Sequence, residues 1–125
     1  MALVRFPLLY GRWRWLLVSL GMGPDWSGIE LDAHELHVYM GWAFRLRVPR
    51  AHVRGAKAVT GPVGGVGVHG WRGRWLVNGS MRGIVAIDID PPARATAVGL
   101  PASVHRLAVS AEDPGALVAA LATRA

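Results

Sequence analysis

The sequence predicts a mainly β domain, with about seven short antiparallel strands closed by one C-terminal helix. Three observations carry that prediction. The 125 residues include 16 Gly and 8 Pro, more than a helical bundle tolerates, because Gly costs about 1 kcal/mol and Pro about 3 kcal/mol in a helix interior. From residue 27 onward, short segments with a period of two follow one another at close spacing, as half-buried strands require. The last stretch changes period and carries helix-start chemistry. Hydrophobic residues make up 52% of the chain, and one domain of this length buries roughly two-thirds of its unfolded surface.

The elements follow in order. VRFPLLY (4–10) begins as an edge strand, since Pro7 lacks the N–H that a central ladder needs. Trp13, Leu16, Leu17 and Leu20 then fall at helical spacing, with Gly21 just past the end and Pro24 beyond, so a short amphipathic helix is expected over 11–20. Trp13 lies on its core stripe and Trp15 nearer the edge. Residues 27–32 and 35–40 read as two strands around the turn DAHE. In WAFRLRV (42–48), Trp42, Phe44, Leu46 and Val48 share one face while Arg45 and Arg47 share the other, and Pro49 ends the segment. HVRGAKAV (52–59) is a weaker strand with Val53 and Val59 as core contacts, and GPVGGVGVHG (61–70) is a Gly-rich connection with room for one short strand. Next, Trp71, Gly73, Trp75 and Val77 alternate with Arg72, Arg74 and Leu76, which sets a Trp side inward and an Arg side outward. Asn78-Gly79 supplies a turn, because both residues tolerate positive φ. IVAIDID (84–90) alternates again and stops at Pro91-Pro92. A final strand at 105–109 leads into the helix, where Ser110 or Asp113 can cap and Pro114 suits the first turn. Glu112 and Asp113 complement its dipole, and Leu117, Val118 and Leu121 form its apolar side.

Charge narrows the partners. Fourteen basic residues, thirteen of them Arg, stand against eight acidic ones, for a formal charge of +6 and a pI near 11.3. Such a balance attracts polyanions through fields that salt weakens, although an Arg-, Ala-, Gly- and Val-rich composition is also what a GC-rich genome writes. No Cys is present, which excludes disulfides and thiolate chemistry. The longest uncharged apolar run near the N-terminus, Trp15 to Gly23, is far short of the roughly 20 residues that span a bilayer. Arg5, Arg12 and Arg14 interrupt the region where a signal peptide would be continuous. A cytoplasmic protein without a transmembrane segment is expected.

Motifs that could carry chemistry are weak. Gly65-Val66-Gly67-Val68-His69-Gly70 is a literal G-x-G-x-x-G with Asp90 twenty residues on, but that motif holds a pyrophosphate only where it opens a helix, and here WRGRWLVNG follows. His34, Glu35 and His37 sit on a turn and a strand where the two imidazoles diverge. Asp88 and Asp90 share a strand face that needs polar residues in any case. Neither Ser80 nor Ser110 lies in a nucleophile elbow. The sequence therefore predicts no catalytic residue, no metal ligand set and no cofactor. Arg45, Arg47, Arg72 and Arg74 are the candidate contact residues. If their two strands neighbour one another, four guanidiniums form one outward patch suited to phosphates or carboxylates. The inward Trp side deprives that patch of base-stacking rings, which disfavours nucleic acid.

The stretches IELDAHELHVYMGWAFRLRVPRAHVRGAKAV (29–59), RGRWLVNGSMRGIVAIDID (72–90) and VHRLAVSAEDPGALVAAL (104–121) together resemble the pleckstrin-homology-like domains of bacteria, particularly small actinobacterial proteins. The resemblance covers about residues 27–122. It implies two near-orthogonal antiparallel sheets, of four strands and three, forming a barrel whose open end the C-terminal helix plugs. On that plan, 1–26 is an N-terminal segment packing on the barrel and 27–125 the barrel with its helix, a single domain overall. The resemblance implies a non-catalytic binding or assembly module, with a protein partner, self-association or an anionic lipid surface as its contact. Lipid-reading members of the family hold basic residues at the first hairpin loop, and here that loop is the acidic DAHE (32–35). A charge-driven nucleic-acid-binding protein and a small-molecule or lipid binder with a Trp-rich pocket are the alternatives.

Overall fold

Alternating segments extend wherever one of their faces can be buried, and the computed structural model, which describes residues 3–60 and 67–122, contains nine such strands among them. They are β1 (Val4–Phe6), β2 (Ser27–Leu31), β3 (Glu35–Met40), β4 (Phe44–Pro49), β5 (Val53–Ala58), β6 (Gly67–Trp71), β7 (Arg74–Asn78), β8 (Ile84–Ala97) and β9 (Leu100–Ser110), with helices α1 (Arg14–Ser19) and α2 (Pro114–Ala122). Strands hold 57% of the chain against 19% helix, so the fold is mainly β with a C-terminal helix. All nine strands join one sheet in the order β1-β2-β3-β4-β8-β9-β7-β6, with β5 also on β8. The sheet is not closed.

β8 and β9 organise the sheet. The first half of β8 pairs with β5 from Val53↔Ile89 to Ala58↔Val85, and its last residues pair with β4 from Leu46↔Ala95 to Phe44↔Ala97. β9 runs along the opposite edge of both halves. The hairpin therefore carries the β1–β4 portion on one half and β5 on the other. The core lies between: Phe44, Leu46 and Val48 of β4, Ile87 of β8, Leu107 of β9 and Leu117 of α2 are at most 1% exposed. Arg45 and Arg47 point the other way, as the period of two requires.

Several sequence expectations change. The strand expected to end at Pro91-Pro92 runs on to Ala97, because the β8–β9 ladder is interrupted between Asp88 and Ala93 and a proline there costs no ladder bond. β9 correspondingly begins at Leu100 rather than 105, after a two-residue turn at Val98-Gly99, both with positive φ. WRGRW is not one strand but a hairpin: Trp71 pairs with Arg74 around Arg72 (φ 50) and Gly73 (φ 82). Gly79, the expected turn residue, instead bridges Tyr10. The all-antiparallel expectation also fails at one ladder, since β7 joins the free edge of β9 in parallel.

The N-terminal stretch crosses from one part of the sheet to another. β1 is an edge strand on β2, then Leu8 bridges Ala111 and Tyr10 bridges Gly79. Buried Ser110 fastens it, donating to Leu9 O (2.8 Å) and accepting from Gly79 N–H (2.9 Å). α1 is only six residues long, so the expected four-residue stripe shrinks: Leu17 is buried, while Trp13 and Leu20 are 37% and 50% exposed. Its end has Schellman geometry, with Gly21 (φ 79) donating to Val18 O and Met22 to Leu17 O. At α2 the cap is Asp113, whose Oδ1 accepts Ala116 N–H (3.1 Å). Leu117 is fully buried there, and Val118 and Leu121 pack against the core.

Candidate functional site

The β1–β4 portion presents its outward side chains in rows, because paired strands align every second residue. One row runs Arg5, Glu30, His37, Arg47 across β1, β2, β3 and β4. The next runs Gly28, Tyr39, Arg45 and Thr96 of β8. Glu30 is the hub: Tyr39 OH donates to its Oε2 (2.9 Å), and its Oε1 lies 3.6 Å from His37 Nδ1. The His37 and Tyr39 rings sit 4.8 Å apart. Gly28 leaves a notch that Arg5 crosses to donate to Ser27 O (2.7 Å), since a Cβ there would meet Arg5 Nε at 2.9 Å. Along the outer rim, Arg47 pairs with Glu35 at 2.8 Å with both side chains well exposed. Arg45, Arg94 and Arg74 are exposed and make no ion pair among the described residues.

Burial lowers the pKa of His37, and the nearby Arg47 charge lowers it further against the opposing pull of Glu30. Burial and the hydrogen bond to Glu30 raise that of Tyr39. The backbone N–H groups of Glu35 and His34, at 2.8 and 2.7 Å, hold Asp32 below the usual carboxylate range, which makes DAHE a self-satisfied turn. For a histidine with a depressed folded pKa, the unfolded chain binds more protons as the pH falls. His37 thus contributes stability that is complete above about pH 6.5 and is lost as acid approaches its lower folded value. His37→Gln is expected to flatten this part of the profile, read from thermal midpoints at about pH 7.5 and about pH 5. An unchanged slope in the variant assigns the dependence to another group.

Arg72 and Arg74 are placed elsewhere. β8 and β9 separate β4 from β7 in the sheet, so the four predicted arginines do not form one patch. Arg72 occupies the β6–β7 turn with positive φ. Arg74 pairs in register with Arg106, which is 3.9 Å from Asp88. Arg74 and Arg106 border a shallow depression of about 390 Å³ with His69, Leu76 and Ala108. Trp75 turns to the core face, against Phe44 (ring centroids 6.1 Å), as expected. The inward orientation expected of Trp71 lies outside the described side chains. A second groove, of about 470 Å³, lies between β5 and α2, where Arg50 is committed to Asp32 O (3.1 Å) and Ala120 O (2.9 Å).

The other motifs resolve structurally. Gly65 and Val66 lie outside the described residues, and from Gly67 the glycine motif continues as β6 rather than opening a helix. His34 sits in the exposed turn while His37 faces Glu30. The Ser110 hydroxyl is committed to the N-terminal stretch. Among the described residues, no helix is long and apolar enough to cross a membrane.

Sequence reading placed Trp42 on the core face, yet it is 57% exposed, beyond the start of β4. Gly41 (φ 54) turns the chain before it, and the indole Nε1 donates to Leu20 O (2.7 Å). With Trp26 and Arg45 it lines a cleft of about 310 Å³. The expected Trp-rich interior is thus largely turned outward, for Trp13, Trp15, Trp26 and Trp42 are all exposed. No family model, characterised protein or solved structure matches the chain.

Proposed function

We propose that the chain is a non-catalytic binding module that engages an anionic partner through the outward face of β4. The observation that carries this reading is Arg45: exposed, without an ion pair among the described residues, and flanked on the sheet face by Arg47 and Arg94. The hub around Glu30 satisfies the polar groups beneath, and with Arg47 on Glu35 and Arg5 on Ser27 O it is the Arg45 guanidinium that remains available for a carboxylate or phosphate. The bent β8–β9 hairpin, shared between two parts of the sheet with α2 packed on β5 and β8, supports a pleckstrin-homology-like barrel as the scaffold. The parallel β7–β9 ladder, and one unclosed sheet of nine strands in place of two sheets of four and three, are departures from that plan. Nucleic acid fits less well, because the rings on the arginine rows, His37 and Tyr39, are half-buried and held by Glu30 rather than offered to bases.

The test is charge reversal. Arg45→Glu/Arg47→Glu is expected to fold with a thermal midpoint close to wild type, since both side chains are exposed and the Arg47–Glu35 pair it breaks is a surface pair of about 0–1 kcal/mol. It is expected to weaken self-association, or binding to anionic vesicles, by about tenfold or more. Sedimentation velocity and vesicle co-sedimentation read these two contacts. Equal association by wild type and variant would remove the β4 face from the function, and tight salt-sensitive binding to single-stranded DNA would favour the nucleic-acid reading.

A further inference from the structure

Three reversals of the chain meet at the end of β3 and β4 remote from α2. Gly41 N–H donates to Trp26 O (2.9 Å), Trp42 Nε1 to Leu20 O (2.7 Å) and Val98 N–H to Ala43 O (2.7 Å). These bonds engage polar groups of the tips internally. What the tips turn outward is apolar: Trp26 is 71% exposed, Leu100 69%, Trp42 57%, Val98 53% and Leu20 50%. Trp15 and Val18, three residues apart on α1, are exposed as well. Single exposed apolar side chains are ordinary, but a cluster of this size on a chain with a well-filled core marks a contact surface.

The chemistry of the cluster selects its occupant. Trp rings on protruding tips suit the headgroup level of a bilayer, where an amphipathic ring is more stable than in water or in hydrocarbon. A bilayer also receives separate protrusions without needing matching sockets. The charge agrees: Arg45 lines the cleft between Trp26 and Trp42, Arg12 and Arg14 are exposed beside Trp13 and Trp15, and Asp25 is the carboxylate of the Trp26 segment. Arginine stems lie along apolar surface while their heads reach lipid phosphates.

We propose that this end of the domain docks on an anionic membrane surface, with Trp26, Trp42 and Leu100 entering the headgroup region and Arg45 on lipid phosphate. The proposal rests on the anionic-partner reading and names the partner as a bilayer. The test uses the full chain with vesicles of equimolar phosphatidylglycerol and phosphatidylcholine, against phosphatidylcholine alone, and brominated lipid as a quencher of Trp emission. Binding to the anionic vesicles only, with quenching, is the expected result. Trp26→Ser/Leu100→Ser alters two side chains that are 71% and 69% exposed, so it should fold normally and bind about tenfold or more weakly.

Undiminished binding by that variant, without quenching, overturns membrane insertion and leaves the β4 arginine contact standing. No vesicle binding by wild type overturns the proposal, and self-association of Arg45→Glu/Arg47→Glu then decides the broader reading separately. Self-association that Trp26→Ser/Leu100→Ser abolishes would make this end an interface between copies and overturn the membrane assignment.

Discussion

Gly41→Ala is expected to destabilise the domain by about 4 kcal/mol or more, enough to unfold much of the population at room temperature. Two costs combine. Gly41 has φ +54, where a side chain costs roughly 1–2 kcal/mol. Its Cβ would also overlap the Gly21 carbonyl oxygen and come within 2.9 Å of the carbonyl carbon and 3.1 Å of Met22 Cα. These are backbone atoms of the segment following α1, and no rotamer change relieves them. Moving that segment would break Gly41 N–H to Trp26 O and Trp42 Nε1 to Leu20 O. Gly99→Ala is the control, because Gly99 has φ +79 and a Cβ there would meet nothing within 4 Å, leaving the conformational cost of roughly 1–2 kcal/mol alone. Urea denaturation of both variants measures the difference. Equal costs would show that Gly21 and Gly41 are not closely packed, and the tryptophan-bearing turns would then lack the rigid link assigned to them.

The same residues show where sequence was informative and where it was not. β4 was legible because Phe44, Leu46 and Val48 are buried and Arg45 and Arg47 exposed, so chemistry alternates with geometry. WRGRW alternates too, but a two-residue turn inserted between Trp71 and Arg74 leaves that alternation looking unbroken. Only Gly73 marks the turn, and nothing about Arg72 as a residue type encodes φ 50. Val98-Gly99 hid the β8–β9 reversal in the same way. Arg45 and Arg47 were found as a pair by local periodicity, whereas grouping them with Arg72 and Arg74 required the strand order, which is non-local. The cluster at Trp26, Trp42 and Leu100 was missed for a related reason. Its members belong to three separate reversals that only the folded sheet brings together.

Phe44→Ala is expected to cost about 3–5 kcal/mol, while Arg45→Ala, one residue along, should stay within about 0.5 kcal/mol. Phe44 is fully buried and lies against Trp75. Its register partners are Met40 on one side and Ala97 on the other. Ala97 and nearby Ala95 are small and fixed in the β8 ladder, so little can move into the space the ring leaves. The cost therefore belongs near the upper part of the range, where the cavity stays open rather than collapsing. Phe44→Leu, which keeps most of the volume, should fall clearly below it. Denaturant midpoints for the three variants check the order, and a Phe44→Ala cost close to that of Arg45→Ala would mean that β4 is not anchored by its inner face. That anchoring bears on the proposed binding: the buried Phe44, Leu46 and Val48 hold the strand whose opposite side carries Arg45 and Arg47. If the proposed anionic contact is made there, a Phe44→Ala chain that still folds is expected to lose affinity without any change to an arginine, because a loosened strand no longer presents the guanidiniums in one fixed geometry.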